Sequence, residues 1–233
     1  MGLISALFVI VLSLSGLILH HANRLNLDTR FLQSPALLAW YSIEVPSLRA
    51  SFTSGTREVS QIETAIYVDA HRLPATLSTL VGAVPVSFGH VIAGSGQLLL
   101  INTDGELIEV LGSQHDVPPV ITGIGSTADG TIYLRGVNTL FHADLDSLQF
   151  TALDTPTALV LWSESGRSTL AQQIRVDYGR TLLTWERVLL DVHSGRFFGG
   201  FGVLLVDVMA ILFVFMALTG IWIWTRRRNK NSQ

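Results

Sequence analysis

The sequence predicts a membrane protein in which two transmembrane helices flank a mainly-β, antiparallel-meander domain on the periplasmic side. Three observations carry that expectation: an apolar run at each end of the chain, a hairpin signal with strand-like segments between them, and a basic C-terminal flank. Hydrophobic residues make up 48% of the 233 and charged residues only 14%. Soluble chains carry about 25% charge, so part of this one is expected to meet lipid. The expected organisation is a first transmembrane helix over 1–21, a β-rich domain over 22–183, an interfacial amphipathic helix over 184–196, a second transmembrane helix over 197–225 and a basic tail over 226–233.

The first apolar run, "GLISALFVIVLSLSGLIL" at 2–19, holds no charge. At helical rise it spans roughly 27 Å, close to the hydrocarbon thickness of a bilayer. A cleaved signal peptide is the alternative, but no Lys or Arg precedes the run and "HHANRL" after it lacks the small-x-small pattern of a cleavage site. A retained anchor is therefore expected.

The domain between the spans reads as β. Its clearest element is "QLLLINTDGELIEVL" at 97–111, where Asp104-Gly105 separates two apolar strands, the strongest short-range hairpin signal. The pattern recurs in "IYLRGVNTLFHADLDSLQFTAL", so that Gly94, Leu98, Asp104 and Leu111 match Gly136, Leu140, Asp146 and Leu153. That offset lies in the range of propeller blades; two copies support a meander rather than a complete propeller. Elsewhere a short helix is expected near Trp40, a strand over "AIYVDAHRL", a helical turn around "ATLSTL" and a turn at "TADG". The run "RTLLTWERVLLDVHSG" is expected to form a strand and then an amphipathic surface helix ending at Gly195.

The second apolar run, 197–225, is interrupted by one charge, Asp207. After it, Arg226, Arg227, Arg228 and Lys230 give a strong positive-inside signal. Both termini are then expected in the cytoplasm, with the central domain in the periplasm of a bacterial inner membrane. Phe197, Phe198 and Phe201 fall at the outer boundary, Trp222 and Trp224 at the inner.

Candidate sites are few. The chain has no cysteine, which removes disulfides and thiolate metal sites. His193, His20 and His21 all fall near the outer boundary, where facing imidazoles can ligate one b-type haem. Any one of them is equally read as an amphipathic interfacial residue. His71, His90, His115 and His142 lack metal-ligand spacing and read as surface or core residues. Asp207, at a cost of about 2.5 to 3.5 kcal/mol near the bilayer centre, needs a named partner. Helical spacing puts Ala6, Val9, Ser13, Gly16 and His20 on one face, and Val203, Asp207, Ala210, Val214 and Ala217 on another. Pairing those faces brings Asp207 to Ser13; a contact to another subunit is the alternative. No G-x-S-x-G, P-loop or HExxH is present, and a net charge of −3 without a basic patch outside the tail argues against nucleic acid.

The two ends together resemble the bacterial PepSY-associated transmembrane proteins. The likeness rests on Ser15-Gly16, Leu19-His20-His21, Leu27-Asp28 and Trp40-Tyr41, then on Asp191-x-His193-x-Gly195-Arg196, Thr219-Gly220 and Trp222. The resemblance implies an inner-membrane protein with a periplasmic domain, from a family whose larger members are linked to electron transfer through b-haems held by histidines. It marks His193 as the leading ligand candidate. The function expected first is an accessory or scaffold protein, not an enzyme and without a cofactor, whose β-domain and helices dock on a larger membrane complex, such as a redox or metal-uptake system. The alternatives are a b-haem electron-transfer component resembling a ferric-siderophore reductase and a periplasmic regulator of proteolysis.

Overall fold

The computed structural model describes residues 2–156 and 158–230. The last residues of the expected tail, 231–233, lie outside them. The chain divides into two compact units, one formed by residues 44–179 and the other by both ends, 1–43 and 180–233.

The middle unit is three consecutive four-stranded antiparallel meanders. The first comprises β1 (Ala50–Ser54), β2 (Arg57–Ile62), β3 (Ala65–Val68) and β4 (His71–Thr76). The second comprises β5 (Leu80–Val86), β6 (Gly89–Gly94), β7 (Gln97–Asn102) and β8 (Leu107–Leu111). The third comprises β9 (Gly123–Ser126), β10 (Ile132–Arg135), β11 (Leu140–Asp144) and β12 (Gln149–Leu153). The Asp104-Gly105 turn closes the β7–β8 hairpin, with Gly105 at φ +86°. The two matched sequence segments form the outer hairpins of the second and third meanders in the same register: Leu98 pairs with Leu111, and Leu140 with Leu153. The first meander has the same architecture without the sequence likeness. The expected helical turn around 75–80 is instead the passage from β4 to β5.

The second meander is buried on both faces, which explains its continuous apolar runs. Side chains alternate across a sheet. Val91, Ala93, Leu98 and Leu100 pack with Ile124, Ile132 and Leu134 of the third meander. Ile92, Leu99 and Ile101 pack with Val59, Ile66 and Val68 of the first. Each such Val, Leu or Ile side chain contributes roughly 1.5 to 3 kcal/mol.

A short return segment seals the unit. After β12 the chain forms β13 (Leu161–Trp162), which pairs with β9. Ser163 N–H then donates to the Ile124 carbonyl at 2.9 Å, and Ala83 N–H of β5 donates to Ser163 Oγ at 3.0 Å. Gly166 N–H donates to the Ser51 carbonyl of β1 at 2.8 Å. The segment therefore touches the first strand of every meander. Gly125 makes room for it: a Cβ there would lie 2.6 Å from Val160 Cγ1 and 2.8 Å from the Leu161 carbonyl.

The terminal unit is helical. Helix α1 (Gly2–His20) is followed by α2 (Ala22–Leu25) and by α3 (Pro35–Trp40), which Ser34 caps and Pro35 opens. Between the last two, Leu32 N–H donates to the Leu183 carbonyl and Trp185 N–H to that of Arg30, so the two distant stretches are stitched by backbone. After α4 (Ala171–Gly179), which belongs to the middle unit, come α5 (Trp185–His193), a tight turn over Arg196–Phe198, and α6 (Gly199–Lys230). Thr184 caps α5 through the Arg187 N–H at 3.2 Å. Helix α6 is long and apolar enough to cross a membrane; α1 is a shorter apolar helix.

Candidate functional site

The terminal unit gathers its most distinctive residues around the end of α5. His193 is the last residue of that helix, and its Nδ1 lies 2.8 Å from Ser15 Oγ on α1. Ser15 is only 5% exposed. Its oxygen also lies 2.7 Å from the Val11 carbonyl and 3.1 Å from that of Leu12. A hydroxyl has one proton and a carbonyl only accepts, so the arrangement is satisfied when Ser15 donates to Val11 and His193 Nδ1–H donates to Ser15. That tautomer leaves the lone pair of a neutral imidazole on Nε2. Gly16 completes the contact, since a Cβ there would sit 3.3 Å from His193 Cε1.

Two residues on, Gly195 stops α5 with φ +77°. A Cβ at Gly195 would lie 2.4 Å from the Gly202 carbonyl, and one at Gly202 would lie 2.1 Å from the Gly195 carbonyl. The backbones of the α5 turn and α6 therefore touch directly. Helix α1 is tied to α5 through Ser15, and α6 through Gly202.

Aromatic residues from α3 cover the same turn. Trp40 Nε1–H donates to the Phe197 carbonyl at 3.1 Å, and its ring stacks on Phe197 at 5.6 Å between centroids. The Arg187 guanidinium lies 5.6 Å from the centre of the Tyr41 ring. Among the described residues the buried Tyr41 hydroxyl has no partner in hydrogen-bond geometry. Burial, reinforced by the nearby Asp191 carboxylate, pushes its pKa up to about 12.

Ser15 and Gly16 thus meet His193, Trp40 meets Phe197 and Tyr41 lies beside Asp191, although the partners come from opposite ends of the chain. The sequence matches the family described as the PepSY-associated TM region over residues 1–227. The chain belongs to that family. No curated protein and no solved structure matches it. The PepSY-associated assignment, with the apolar α6, makes this a membrane protein.

The structure places the remaining expected site residues of this PepSY-associated protein differently. His20 and His21 lie against each other, ring centroids 5.0 Å apart, and among the described residues neither makes a ring or hydrogen-bond contact with His193. Ser13 and Asp207 are both exposed, and no hydrogen bond joins them. The expected pairing of helix faces is replaced by another. Leu7, Phe8, Val11 and Leu12 of α1 share a cavity with Gly202, Leu205 and Val206 of α6. Each helix is fixed by another residue, α1 by Ser15 on His193 and α6 by Gly202 on Gly195, and Ser13 and Asp207 are left exposed. Ser15 escaped the sequence reading as a contact because a serine in an apolar helix carries no periodic signal of its own. Its place beside Gly16 in the family array was the only pointer.

The middle unit holds other polar groups. His90, 8% exposed, is paired with Ser54, whose Oγ lies 2.7 Å from its Nδ1. Burial holds the His90 pKa below its ordinary value, and the Arg57 cation adds to this. Asp129, Asp144, Asp146 and His142 line an open cleft. The first two carboxylates are engaged by their own turns, Asp129 by Thr127 and Thr131, and Asp144 by Ser147. Among the described residues no three His, Asp or Glu side chains converge as a metal-binding set.

Proposed function

We propose that the protein is a double-pass inner-membrane accessory protein, with α1 and α6 as spans, both termini cytoplasmic and the β-unit periplasmic, docking on a larger membrane complex. The observation that carries this reading is Asp207. It is exposed on α6 and has no hydrogen-bond or ion-pair partner among the described residues. A carboxyl group in hydrocarbon costs about 2.5 to 3.5 kcal/mol, so a second chain is the natural source of its partner. The orientation follows from Arg226, Arg227, Arg228 and Lys230 in the sequence after the span.

The test is affinity purification of the full chain in mild detergent. A specific membrane complex is expected with the native protein and its loss with Asp207→Leu. Recovery of the native chain alone would overturn the reading. A reporter fused after Gln233, expected to be active only in the cytoplasm, checks orientation separately.

A second reading, a b-haem electron-transfer component, is favoured by one observation, the Nδ1-to-Ser15 hydrogen bond that leaves His193 Nε2 as the free donor atom. His193, through Nε2, is the residue that would hold such a group. A haem would supply one-electron transfer; the protein's part is to fix the imidazole, which Ser15 and Gly16 do from α1. A reduced b-type absorption band lost in His193→Ala supports this reading, and a colourless preparation from haem-sufficient cells rejects it.

A further inference from the structure

The two contacts that tie α1 and α6 to the α5 turn leave a gap beyond it. Ser15 holds α1 and Gly202 holds α6, each against the segment 193–195, but neither contact draws the two apolar helices together farther along. The result is a half-open cavity of about 240 Å³, lined by apolar side chains and glycine, among them Leu7, Val11, Val192, Phe198, Leu205 and Val206. Among the described residues, not one that is charged or hydroxyl-bearing lines it. Enclosed apolar cavities of about 150 Å³ stay free of water and accept benzene; a half-open one with the same kind of lining favours hydrocarbon where it faces lipid.

Its length and its mouth narrow the occupant. On α1 the lining runs from Leu7 to Leu12, five residues or roughly 7.5 Å at helical rise. One leaflet of a bilayer is about 15 Å of hydrocarbon deep, so the slot takes part of a single chain of one leaflet and is too short for a span of a second protein. At the Phe198 end stands Arg196, between two lining residues, Gly195 and Phe198. It is exposed, and its guanidinium has no ion-pair or hydrogen-bond partner among the described residues. An exposed arginine whose chain neighbours Gly195 and Phe198 line one end of an apolar slot matches a phosphate oxygen followed by a fatty chain. Trp40, stacked on Phe197 beside it, is the residue type that sits at headgroup level.

We infer that this slot is a binding site for an anionic phospholipid, with one acyl chain between α1 and α6 and its phosphate on Arg196. The inference rests on both helices lying in the bilayer, as proposed above. The lipid then completes the packing that the Gly195–Gly202 contact leaves open. It also gives Arg196, in the D-x-H-x-G-R array, a role separate from that of His193.

The full chain in detergent, examined by native mass spectrometry with added lipid, tests the site. Dioleoyl phosphatidylglycerol is expected to give a one-to-one adduct; glycerol 3-phosphate, which has the anion without the chain, is expected to give none. Arg196→Gln should weaken retention of phosphatidylglycerol about fivefold and bring it level with dioleoyl phosphatidylcholine, the loss one interfacial cation produces. Leu205→Trp fills the slot from an exposed position of α6 and should abolish both adducts while leaving the helical circular dichroism unchanged. Leu7→Trp does the same from α1. Equal retention of the two lipids by the native chain, or adducts that survive both tryptophan variants, would overturn the proposal. Carbonate extraction of native membranes decides independently whether the helices are inserted, so failure of the membrane reading is distinguishable from failure of the site.

Discussion

Ser15 Oγ and His193 Nδ1 lie 2.8 Å apart and join the first helix to a helix 178 residues later. The serine hydroxyl is committed to the Val11 carbonyl at 2.7 Å, so it serves the imidazole as an acceptor. Ser15→Ala removes that acceptor from the half-buried Nδ1–H beside Gly16. The expected loss is about 1 kcal/mol of stability for the terminal unit, the usual net worth of one hydrogen bond. Thermal unfolding in detergent measures it. Ser15→Ala combined with His193→Phe, which removes the orphaned donor as well, should recover part of the loss. No recovery would mean that the serine acts through packing alone.

Gly195 and Gly202 are held closer than any side chain permits. Gly195 also needs its positive φ of 77° to end α5. Gly195→Ala combines an unfavourable left-handed backbone with a 2.4 Å approach to the Gly202 carbonyl. Gly202→Ala makes only the steric clash, because its backbone is helical. Both should separate the α5 turn from α6 at a cost above the 1 to 3 kcal/mol typical of overpacking, with Gly195→Ala the more severe. Thermal unfolding in detergent measures the cost, and an unchanged midpoint in both variants would refute it.

Much of this was legible in the sequence, for reasons that differ by element. The β7–β8 hairpin was readable because Asp104-Gly105 is a local signal needing no tertiary partner, and its copy over β11–β12 followed by offset. The first meander was not readable as a third copy. Its hairpins turn at Gly55, Glu63 and Asp69-Ala70 instead of repeating the Asp-Gly spacing. The stretch 75–80 reads as helix-compatible, yet its backbone is drawn into the β4–β5 passage by Gln61, whose side chain bonds both the Leu77 carbonyl and the Leu80 N–H at 2.8 Å. At the site, His193 and the Gly195 stop were visible as local motifs. The rotation of α1 was not, because periodicity offers several small-residue faces and only the partners at 193 and 202 select between them.

His90 predicts a pH response in the middle unit. Buried against Ser54 and facing Arg57, it titrates below the ordinary histidine value of 6.5 in the folded state. The unfolded chain therefore binds the proton first as pH falls. Linkage then makes stability fully present above about 6.5 and progressively lost below it, as the solution passes toward the lowered folded pKa. Asp69, paired with Arg57 at 2.7 Å, moderates the effect by opposing part of the cationic field. Chemical denaturation of the native chain between neutral and mildly acidic pH should show this slope, and His90→Gln should flatten it. An identical slope in His90→Gln would assign the effect to other groups.

Gly125 tests the segment that seals the three meanders. On β9 it lies beneath the returning chain, where a methyl group would meet Val160 Cγ1 at 2.6 Å and the Leu161 carbonyl at 2.8 Å. Neither is the loose end of a flexible side chain, so Gly125→Ala must push β13 away from β9. The displacement should propagate to Ser163, which accepts from Ala83, and to Gly166, which donates to Ser51. The expected cost is about 1 to 3 kcal/mol, in the range of core overpacking. It should fall unevenly. Backbone amides of Ser163 and Gly166 should exchange with solvent faster, whereas those of β6 and β7, buried between the two cores, should keep their protection until global unfolding. Uniformly faster exchange across all three meanders would mean that 161–166 is a keystone of the whole unit, and unchanged exchange at Ser163 would refute its sealing role.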